Sequence, residues 1–209
     1  EVLMQACGVS TIFIGAGGVM SKMLTFTDGT LETQGTMLLI FSMIIGSLMG
    51  SLLDIEQRLE ELGEFLKRKF HTENDSLFVE GFVTSTLVIC IGAMAIVGSI
   101  EDGLTGNYST LTAKAILDFV IVTIFASTLG KGVIFSALPL FLYQGAITCL
   151  AAIGGNFMST ELIRQLSYVG SALIFCVGVN IAFGKKFAVG NMLPALLIPI
   201  VYSIATSFM

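Results

Sequence analysis

The sequence is poor in charged residues. Only 12% of its 209 residues are Asp, Glu, Lys or Arg, whereas 55% are hydrophobic and the mean hydropathy is +0.92. Soluble domains carry about 25% charged residues, so this chain has too little polar surface to cover a water-soluble globule. The shortage of charge excludes an ordinary soluble domain. It predicts an integral membrane protein whose main partner is the lipid bilayer.

Histidine and paired cysteines are also scarce. His71 is the single histidine, in a polar linker, and the four cysteines fall within apolar runs without CxxC spacing. The sequence contains none of the GxSxG, HExxH or P-loop signatures. We therefore expect no enzymatic activity, no metal site and no cofactor. Acidic and basic residues interleave at 54–75 and the net charge is −5, so no nucleic-acid partner is expected.

Long apolar runs make up most of the chain. A membrane-spanning helix needs about 20 mostly apolar residues and satisfies its own backbone hydrogen bonds. Seven runs are candidates for such spans: 3–24, 36–53, 80–100, 112–128, 132–153, 163–183 and 189–208. The predicted fold is therefore all-α, a polytopic transmembrane helical bundle with seven spans.

The positions of Lys and Arg predict how these spans are oriented. If the chain starts in the cytoplasm, seven of the ten basic residues fall on the cytoplasmic side. These are Arg58, Lys67, Arg68, Lys69, Lys131, Lys185 and Lys186, whereas Lys22, Lys114 and Arg164 fall at the outer side. This bias follows the positive-inside rule. It predicts a multi-pass protein with a cytoplasmic start and an external C-terminus.

One polar segment divides the chain. Apolar residues recur at helical spacing within 54–79, which predicts an amphipathic helix with charged outer faces. Its leucine stripe is open to two interpretations, packing against the bundle or binding a partner. The predicted organisation is a first repeat at 1–53, this cytoplasmic helix and linker at 54–79, a central pair of spans at 80–128, and a second, inverted repeat of three spans at 129–209.

The repeat is predicted from two similar segments. GVSTIFIGAGGVM begins at Gly8 and GSALIFCVGVNIA begins at Gly170, and each precedes a second apolar run that opens GTMLL or GNMLP. The predicted topology gives the two segments opposite directions, which is the inverted repeat of many secondary transporters. Gly17 and Gly178 lie in corresponding stretches. They either allow close helix packing or break the helices and expose backbone groups to a ligand.

A carboxylate, Asp118, lies inside the apolar run AKAILDFVIVTIFAST at 113–128. A charged side chain at the centre of a membrane helix costs about 2.5–3.5 kcal/mol on insertion scales, so Asp118 is a candidate functional residue. Lys114 lies one turn earlier on the same helical face. Three interpretations stay open: a structural ion pair, a site that binds a cation or exchanges a proton, and an oligomer contact.

Four further polar residues are candidates for a site. Gln144 lies mid-span, either as an interhelical hydrogen-bonding residue or as a substrate contact. Asn180 follows Gly178 in the second repeat and is the residue there most typical of a binding site. Glu80 is either a carboxylate favoured at a helix N-terminus or a site residue. Asn191 lies at the start of the last apolar run.

Three longer stretches carry a family resemblance. They read GSLMGSLLDIEQRLEELGEFLKRKF, FVEGFVTSTLVICIGAMAIVGSIEDGLTG and AKAILDFVIVTIFASTLGKGVIFSALPLFLYQG. Through them the chain resembles the bacterial DUF554 membrane proteins, the YdfK/YqgA-like group, over essentially its whole length. The resemblance implies a bacterial inner or plasma membrane location and supplies no activity. It also implies a further apolar segment upstream, similar to GVIFSAL at 132–138, which would make eight spans.

Two functional hypotheses follow. The first is a secondary transporter of a small solute or ion, with a polar site near the membrane midplane formed by Asp118, Gln144 and Asn180. The second is a non-transporting membrane scaffold or accessory subunit that uses its small-residue faces and amphipathic helix to bind another protein. The small-residue faces also make a homo-oligomer an expectation under either hypothesis.

Overall fold

Helices make up nearly all of the fold. The structure is a computed structural model that describes residues 2–27, 30–72, 75–91, 93–154 and 159–207. The helices are α1 (Val2–Met23), α2 (Thr36–Leu53), α3 (Ile55–Lys69), α4 (Phe78–Ile91), α5 (Ala93–Thr105), α6 (Ser109–Leu129), a 3₁₀ helix (Gly130–Ser136), α7 (Ala137–Gly154), α8 (Thr160–Phe183), α9 (Val189–Met192), a second 3₁₀ helix (Leu193–Leu196) and α10 (Leu197–Ser207). The sequence predicted this all-α class correctly.

A short antiparallel hairpin was not predicted. Strands β1 (Leu24–Thr27) and β2 (Thr30–Thr33) pair between α1 and α2, with Leu24 opposite Thr33. Four threonines and a phenylalanine lie in these eight positions, and β-branched and aromatic residues favour extended backbone. The connection between the first two apolar runs is therefore ordered by pairing.

Left-handed backbone marks helix ends. At Asp54 (φ 47°) the backbone N–H still bonds the carbonyl of Gly50, and α2 ends there. At Gly130 (φ 80°) the N–H bonds Ala126 in the same way, so α6 gives way to a 3₁₀ helix. A residue without Cβ reaches a positive φ at little cost, and Asp reaches it more readily than most side chains do.

Four helical stretches are long and apolar enough to cross a membrane. They are Gln5–Met23, Thr36–Leu53, Ser109–Ile153 and Glu161–Phe183. A fifth is added if Phe78–Cys90 and Met94–Thr105, which meet at 72°, count as one broken span. The predicted number of seven is therefore not confirmed, and the count by length and composition is four or five within the part of the chain that the structure describes.

The difference in the count has physical reasons. Ser109–Ile153 is 45 residues long and includes two predicted spans, 112–128 and 132–153. The predicted span 189–208 is divided into α9, a 3₁₀ turn with Pro194 near its start, and α10, because proline lacks the N–H that a continuous helix needs. The apolar helix there, Val189–Ser203, is shorter than a typical span.

The chain forms two compact units. Unit 1 comprises Glu1–Ala6 and Gln57–Phe157, and unit 2 comprises Cys7–Glu56 and Met158–Met209. Each unit thus combines segments that are distant in sequence, and each is described below by itself.

In unit 1, α4 and α5 pack along α6 and run antiparallel to it. Gly81 lies against Leu129 and Gly98 lies against Leu111, so residue numbers increase along α4 and α5 as they decrease along α6. The chain then turns at the first 3₁₀ helix, and α7 returns beside α5, where Gly103 contacts Thr148. Within the 45-residue stretch, α6 and α7 therefore form a helical hairpin. Glycine at the contacts allows these backbones to approach closely.

The amphipathic helix α3 packs on α4 within unit 1. Leu66 is buried with Phe78 and Phe82, and the Phe135 ring lies against this cluster with its centroid 5.3 Å from that of Phe78. Gly63 contacts the Phe82 ring. The leucine stripe therefore packs partly against the bundle, as one of its two interpretations expected.

In unit 2, α1 and α8 pack antiparallel through small residues. Gly8 lies against Ala182, Gly178 against Ile12, and Gly15 against Phe175. A Cβ placed on Gly178 would lie 2.6 Å from the backbone nitrogen of Ile12, closer than such atoms approach. α2 packs in the same antiparallel way on the α9 region, with Gly46 against Ala195 and Gly50 against Asn191.

Candidate functional site

The ion pair predicted from sequence forms in unit 1. Lys114 donates a hydrogen bond from Nζ to Oδ2 of Asp118. The Lys114 and Asp118 side chains are 6% and 18% exposed, so both charged groups are largely buried within unit 1. On α6 they share the inward face with Phe125 and Leu129, which are buried, while Phe119 on the other face is 72% exposed. Both charges thus face protein.

The broken helix α4–α5 lies beside this pair. The contacts Gly81–Leu129 and Gly98–Leu111 bracket both the 72° bend and the two charged residues. The Cys90 thiol, in the last turn of α4, lies near Lys114 and Asp118. Interrupted helices inside a membrane are tolerated where the freed backbone groups face protein or a water-filled cavity, and they form the ion sites of many transporters.

Two buried hydroxyls belong to the same broken helix. Thr86 on α4 is 4% exposed and Ser99 on α5 is fully buried, and neither hydroxyl oxygen has a hydrogen-bond partner among the described residues. Ser85, by contrast, donates to the Gly81 carbonyl at 2.5 Å. An unpartnered buried hydroxyl costs about 1–3 kcal/mol, so Thr86 and Ser99 are two energetically costly polar groups in this broken helix.

Two other candidates belong to unit 1. Gln144 is half-buried on α7, directly after Tyr143, whose hydroxyl lies near the Cys90 thiol. This places the side of α7 that carries Tyr143 near the ion-pair region. Glu80 is exposed in the first turn of α4, where a carboxylate stabilises the helix N-terminus. Participation of Gln144 and Glu80 in a site stays a prediction.

Asn180, in unit 2, organises a loop. Its Oδ1 accepts from the N–H of Lys186 (2.8 Å) and of Phe187 (2.9 Å), and its Nδ2 donates to the Phe187 carbonyl (2.7 Å). Three of its four hydrogen-bonding positions are therefore occupied by the backbone that follows α8. Asn180 lies one turn before α8 ends at Phe183. Its predicted role as a ligand stays a prediction.

The two predicted glycines of unit 2 differ from each other. Gly178 is buried in the contact with α1, whereas a Cβ on Gly17 would have no neighbour within 4 Å. Gly178 fits the packing interpretation, because a side chain there would separate the helices. Both residues lie within continuous helices, α8 and α1, so neither marks a break in the helix.

Asn191 belongs to a polar junction that sequence reasoning missed. Its Oδ1 accepts from the backbone N–H of Glu56 at 2.8 Å. The Glu56 carboxylate accepts from the Gly190 N–H at 3.0 Å and pairs with Lys185 Nζ at 2.6 Å. Glu56 is 6% exposed although it lies at the start of a charged, amphipathic helix. No local pattern marks Glu56 as a junction residue, because the junction joins elements about 130 residues apart.

A cavity in unit 2 was also missed. Glu161, Arg164, Gln165 and Tyr168, all from the first turns of α8, contribute to its wall. Gln165 recurs with Leu162, Leu166 and Val169 at the spacing of one helical face, and all are buried. A glutamine on an otherwise apolar helical face is the sequence signal that could have drawn attention to Gln165. Among the described residues, no group of three or more His, Cys, Asp and Glu side chains is placed to hold a metal ion.

Comparison with known proteins identifies the family. The family described as "Protein of unknown function (DUF554)" matches residues 1–204. The chain belongs to the DUF554 family. This agrees with the resemblance seen in the sequence.

Relatives of this DUF554 chain are found in two well-known bacteria. It is 34% identical over 199 residues to "Uncharacterized membrane protein YdfK" of Bacillus subtilis (strain 168), covering 95% of this chain and 81% of the relative. It is 29% identical over 174 residues to "Uncharacterized protein YqgA" of Escherichia coli (strain K12), covering 80% and 73%. No solved structure matches it. The name of the first relative agrees with the apolar helices in describing a membrane protein.

Proposed function

We propose that this DUF554 protein is a secondary transporter of a small solute or ion, in which Asp118 binds a cation or exchanges a proton. The observation that carries the proposal is the buried Lys114–Asp118 pair on the inward face of α6, beside the bend between α4 and α5. Ionisable groups inside membrane helices are costly and typically line ion or substrate pathways.

The proposal includes the seven-span topology of a bacterial inner membrane protein with a cytoplasmic start. Two contacts of unit 2 support it. Lys185 pairs with Glu56, and both were predicted to be cytoplasmic. Arg164 donates to the Lys22 carbonyl at 2.9 Å, and both were predicted to be external. Residues predicted on one side of the membrane thus meet each other.

The inverted repeat is part of the same proposal. The two similar segments form the facing parts of α1 and α8, and these helices pack antiparallel. A two-fold axis in the membrane plane relates two copies in this way. Alternating access would then arise from movement of one repeat against the other.

A membrane scaffold or accessory subunit is the second candidate. One observation favours it: α3 keeps Leu62 36% exposed and Phe65 54% exposed, which leaves part of its apolar face uncovered. A polar helix with such a face can bind another protein or lie on the membrane surface. Under this hypothesis the Lys114–Asp118 pair is structural.

The two proposed functions are distinguished by whether the protein moves charge across a membrane. Protein reconstituted in liposomes on a solid-supported membrane is exposed to sudden increases in H⁺ or Na⁺ concentration. Transport predicts a transient current with the native chain and none with Asp118→Asn. Size-exclusion elution and yield of the variant must match those of the native chain. A variant that only lowers yield, with the current per folded molecule unchanged, would show that Asp118 is structural.

A reversed pair provides the matched control. The double variant Lys114→Asp and Asp118→Lys keeps an ion pair with the same four-residue spacing on the same face. Reversing such a pair changes helix stability by only a few tenths of a kcal/mol. If the pair is purely structural, the reversed variant should behave like the native chain. If Asp118 is an ion site, the carboxylate must lie at position 118, and the reversed variant should show no transient current.

A further inference from the structure

The β1–β2 hairpin of unit 2 is amphipathic. Successive side chains of a strand point to opposite faces, and residues that pair across an antiparallel ladder share a face. Phe26 pairs with Leu31, and Leu24 lies two residues before Phe26, so the three apolar side chains of the hairpin share one face. Thr25 and Glu32 pair with each other on the opposite face. The register therefore separates apolar from polar side chains.

The apolar face of the hairpin is exposed. Within the part of the chain that the structure describes, the Phe26 side chain is 76% exposed and the Leu31 side chain 63% exposed. The backbone of the hairpin is closed at its base, where the Gln34 N–H donates to the Met23 carbonyl at 2.7 Å. A two-stranded hairpin is marginally stable in water unless its apolar face packs on something. A surface beyond the described residues is therefore needed to cover Phe26 and Leu31.

The position of the hairpin in the chain brings it to the lipid surface. It lies between Gln5–Met23 and Thr36–Leu53, two helical stretches that are long and apolar enough to cross a membrane. Phe26 follows Met23 by three residues, so at about 3.3 Å per residue it lies no more than about 10 Å from the end of α1. The headgroup layer on each side of a bilayer is roughly 5–8 Å thick. The apolar face is thus within reach of the lipid.

The small size of the apolar face favours lipid over a protein partner. A buried aromatic side chain contributes about 150–250 Å², whereas a stable protein interface buries about 800 Å² on each partner. Phe26 and Leu31 supply only a fraction of that area. The face also continues toward the exposed apolar side of α2, because Thr33, which shares it, lines one cavity with Met37 and Phe41. Those two side chains are 69% and 55% exposed on a candidate span.

The open edges of the hairpin limit how deeply it can lie. In this two-stranded sheet each described strand has one edge outside the ladder. Such edges do not occur in the hydrocarbon core, because no water is there to bond the backbone groups, but the hydrated headgroup layer tolerates them. The exposed Glu32 carboxylate on the opposite face also requires water.

We propose that the hairpin is an interfacial anchor that binds the phospholipid surface. It lies flat in the headgroup layer, with Phe26 and Leu31 against the first carbons of the lipid chains and Glu32 toward water. The anchor fixes the end of α1 and the start of α2 at the level of the headgroups. It is independent of Asp118 and of the transport proposal.

Tryptophan fluorescence of the full chain in phosphatidylcholine vesicles tests the anchor. The sequence contains no tryptophan, so Leu31→Trp and Glu32→Trp each introduce a single reporter, at neighbouring positions on opposite faces. The Leu31→Trp reporter should emit at shorter wavelength and be quenched more strongly by lipid brominated near the headgroup than by lipid brominated near the chain ends. The Glu32→Trp reporter should emit at longer wavelength and be quenched by aqueous acrylamide. Size-exclusion elution of both variants must match that of the native chain.

Other results would overturn the proposal. Quenching of the Leu31→Trp reporter by acrylamide, as in Glu32→Trp, would place the apolar face in water. A short emission wavelength without quenching by brominated lipid or acrylamide would mean that protein, such as a second copy of the chain, covers the face. Stronger quenching near the chain ends would contradict the depth. Phe26→Trp keeps an aromatic side chain and provides a second reporter, which should behave as Leu31→Trp does.

A second substitution in the Leu31→Trp background tests whether the paired side chains act together. Phe26→Ser removes the cross-strand neighbour of the reporter, so quenching by lipid brominated near the headgroup should fall and quenching by acrylamide should rise. Thr25→Ser is the matched control, because it changes the neighbouring residue on the polar face and should leave both quenching values unchanged. Unchanged quenching after Phe26→Ser, or an equal fall after Thr25→Ser, contradicts the anchor.

Discussion

The two units use buried charge differently. In unit 1, Lys114 and Asp118 are neighbours on one helix and pair with each other. In unit 2, Glu56 bonds the N–H of Gly190 and the side chain of Lys185, so one carboxylate joins the start of α3 to the chain beyond α8. The second arrangement has a clear structural purpose, whereas the first does not hold elements together.

This difference bears on function. A buried ion pair is weak support for stability, because desolvation offsets most of the attraction, and well-packed apolar residues often serve as well or better. A pair within one helix also adds no information about which helices should meet. The structural role is thus sufficient to explain Glu56 but leaves Lys114 and Asp118 without a reason to be charged.

The largest effect is expected from breaking the pair of unit 1. Asp118→Leu leaves the Lys114 ammonium buried without a counter-charge, which costs about 3–5 kcal/mol. The double variant Lys114→Met and Asp118→Leu removes both charges and should recover most of this loss. The apparent melting temperature, followed by size-exclusion chromatography after heating, measures both. If the double variant stays as unstable as the single one, the pair is structurally required and the contrast fails.

A smaller effect is expected at the junction of unit 2. Glu56→Ala leaves the buried N–H of Gly190 without an acceptor, at a cost of about 1–3 kcal/mol. Lys185→Ala removes this ion pair but keeps the Gly190 hydrogen bond, and because the lysine side chain is 62% exposed, the loss should be smaller than that of Glu56→Ala. The same heating assay compares the two variants. Equal losses would show that the ion pair, and not the backbone hydrogen bond, stabilises the junction.

Helix packing in unit 2 is tested by two glycines. Gly178→Ala places a methyl group against the backbone of α1 and should cost about 1–3 kcal/mol through overpacking. Gly17→Ala has open space around it and should be neutral or slightly stabilising, because alanine favours helix. The pair is matched in chemistry and differs only in contact. Comparable melting temperatures for the two variants would contradict the antiparallel packing of α1 and α8.

The smallest effect is expected in the loop after α8. Asn180→Ala removes three hydrogen bonds of a partly exposed side chain, and the loss is about 1 kcal/mol. Trypsin cleavage after Lys185 or Lys186 in the detergent-solubilised protein should become several times faster. Asn180→Asp keeps the acceptor of two of these bonds and should lie in between. An unchanged cleavage rate in Asn180→Ala would mean that other contacts order the loop.

The sequence was sufficient for some features and insufficient for others. Hydropathy and spacing predicted the helical class, the amphipathic α3 and the Lys114–Asp118 pair, because all of these depend on residues within a few turns of each other. Glu56 and Gln165 were missed, because their roles depend on partners or cavities that tertiary packing creates. The seven-span count was not confirmed, because Pro194 and Gly130 interrupt apolar runs that composition alone treats as uniform.

The contact of α1 with α8 has a consequence for biosynthesis. About 160 residues separate Gly15 from its neighbour Phe175, so at roughly 5–20 residues per second α1 emerges from the ribosome about ten seconds or more before its partner exists. During that interval its glycine-bearing side lacks the α8 partner that it contacts in the folded protein. Unit 2 is therefore assembled late, by helices that meet after insertion, and slowing translation of α8 should prolong the period in which newly made α1 is open to degradation.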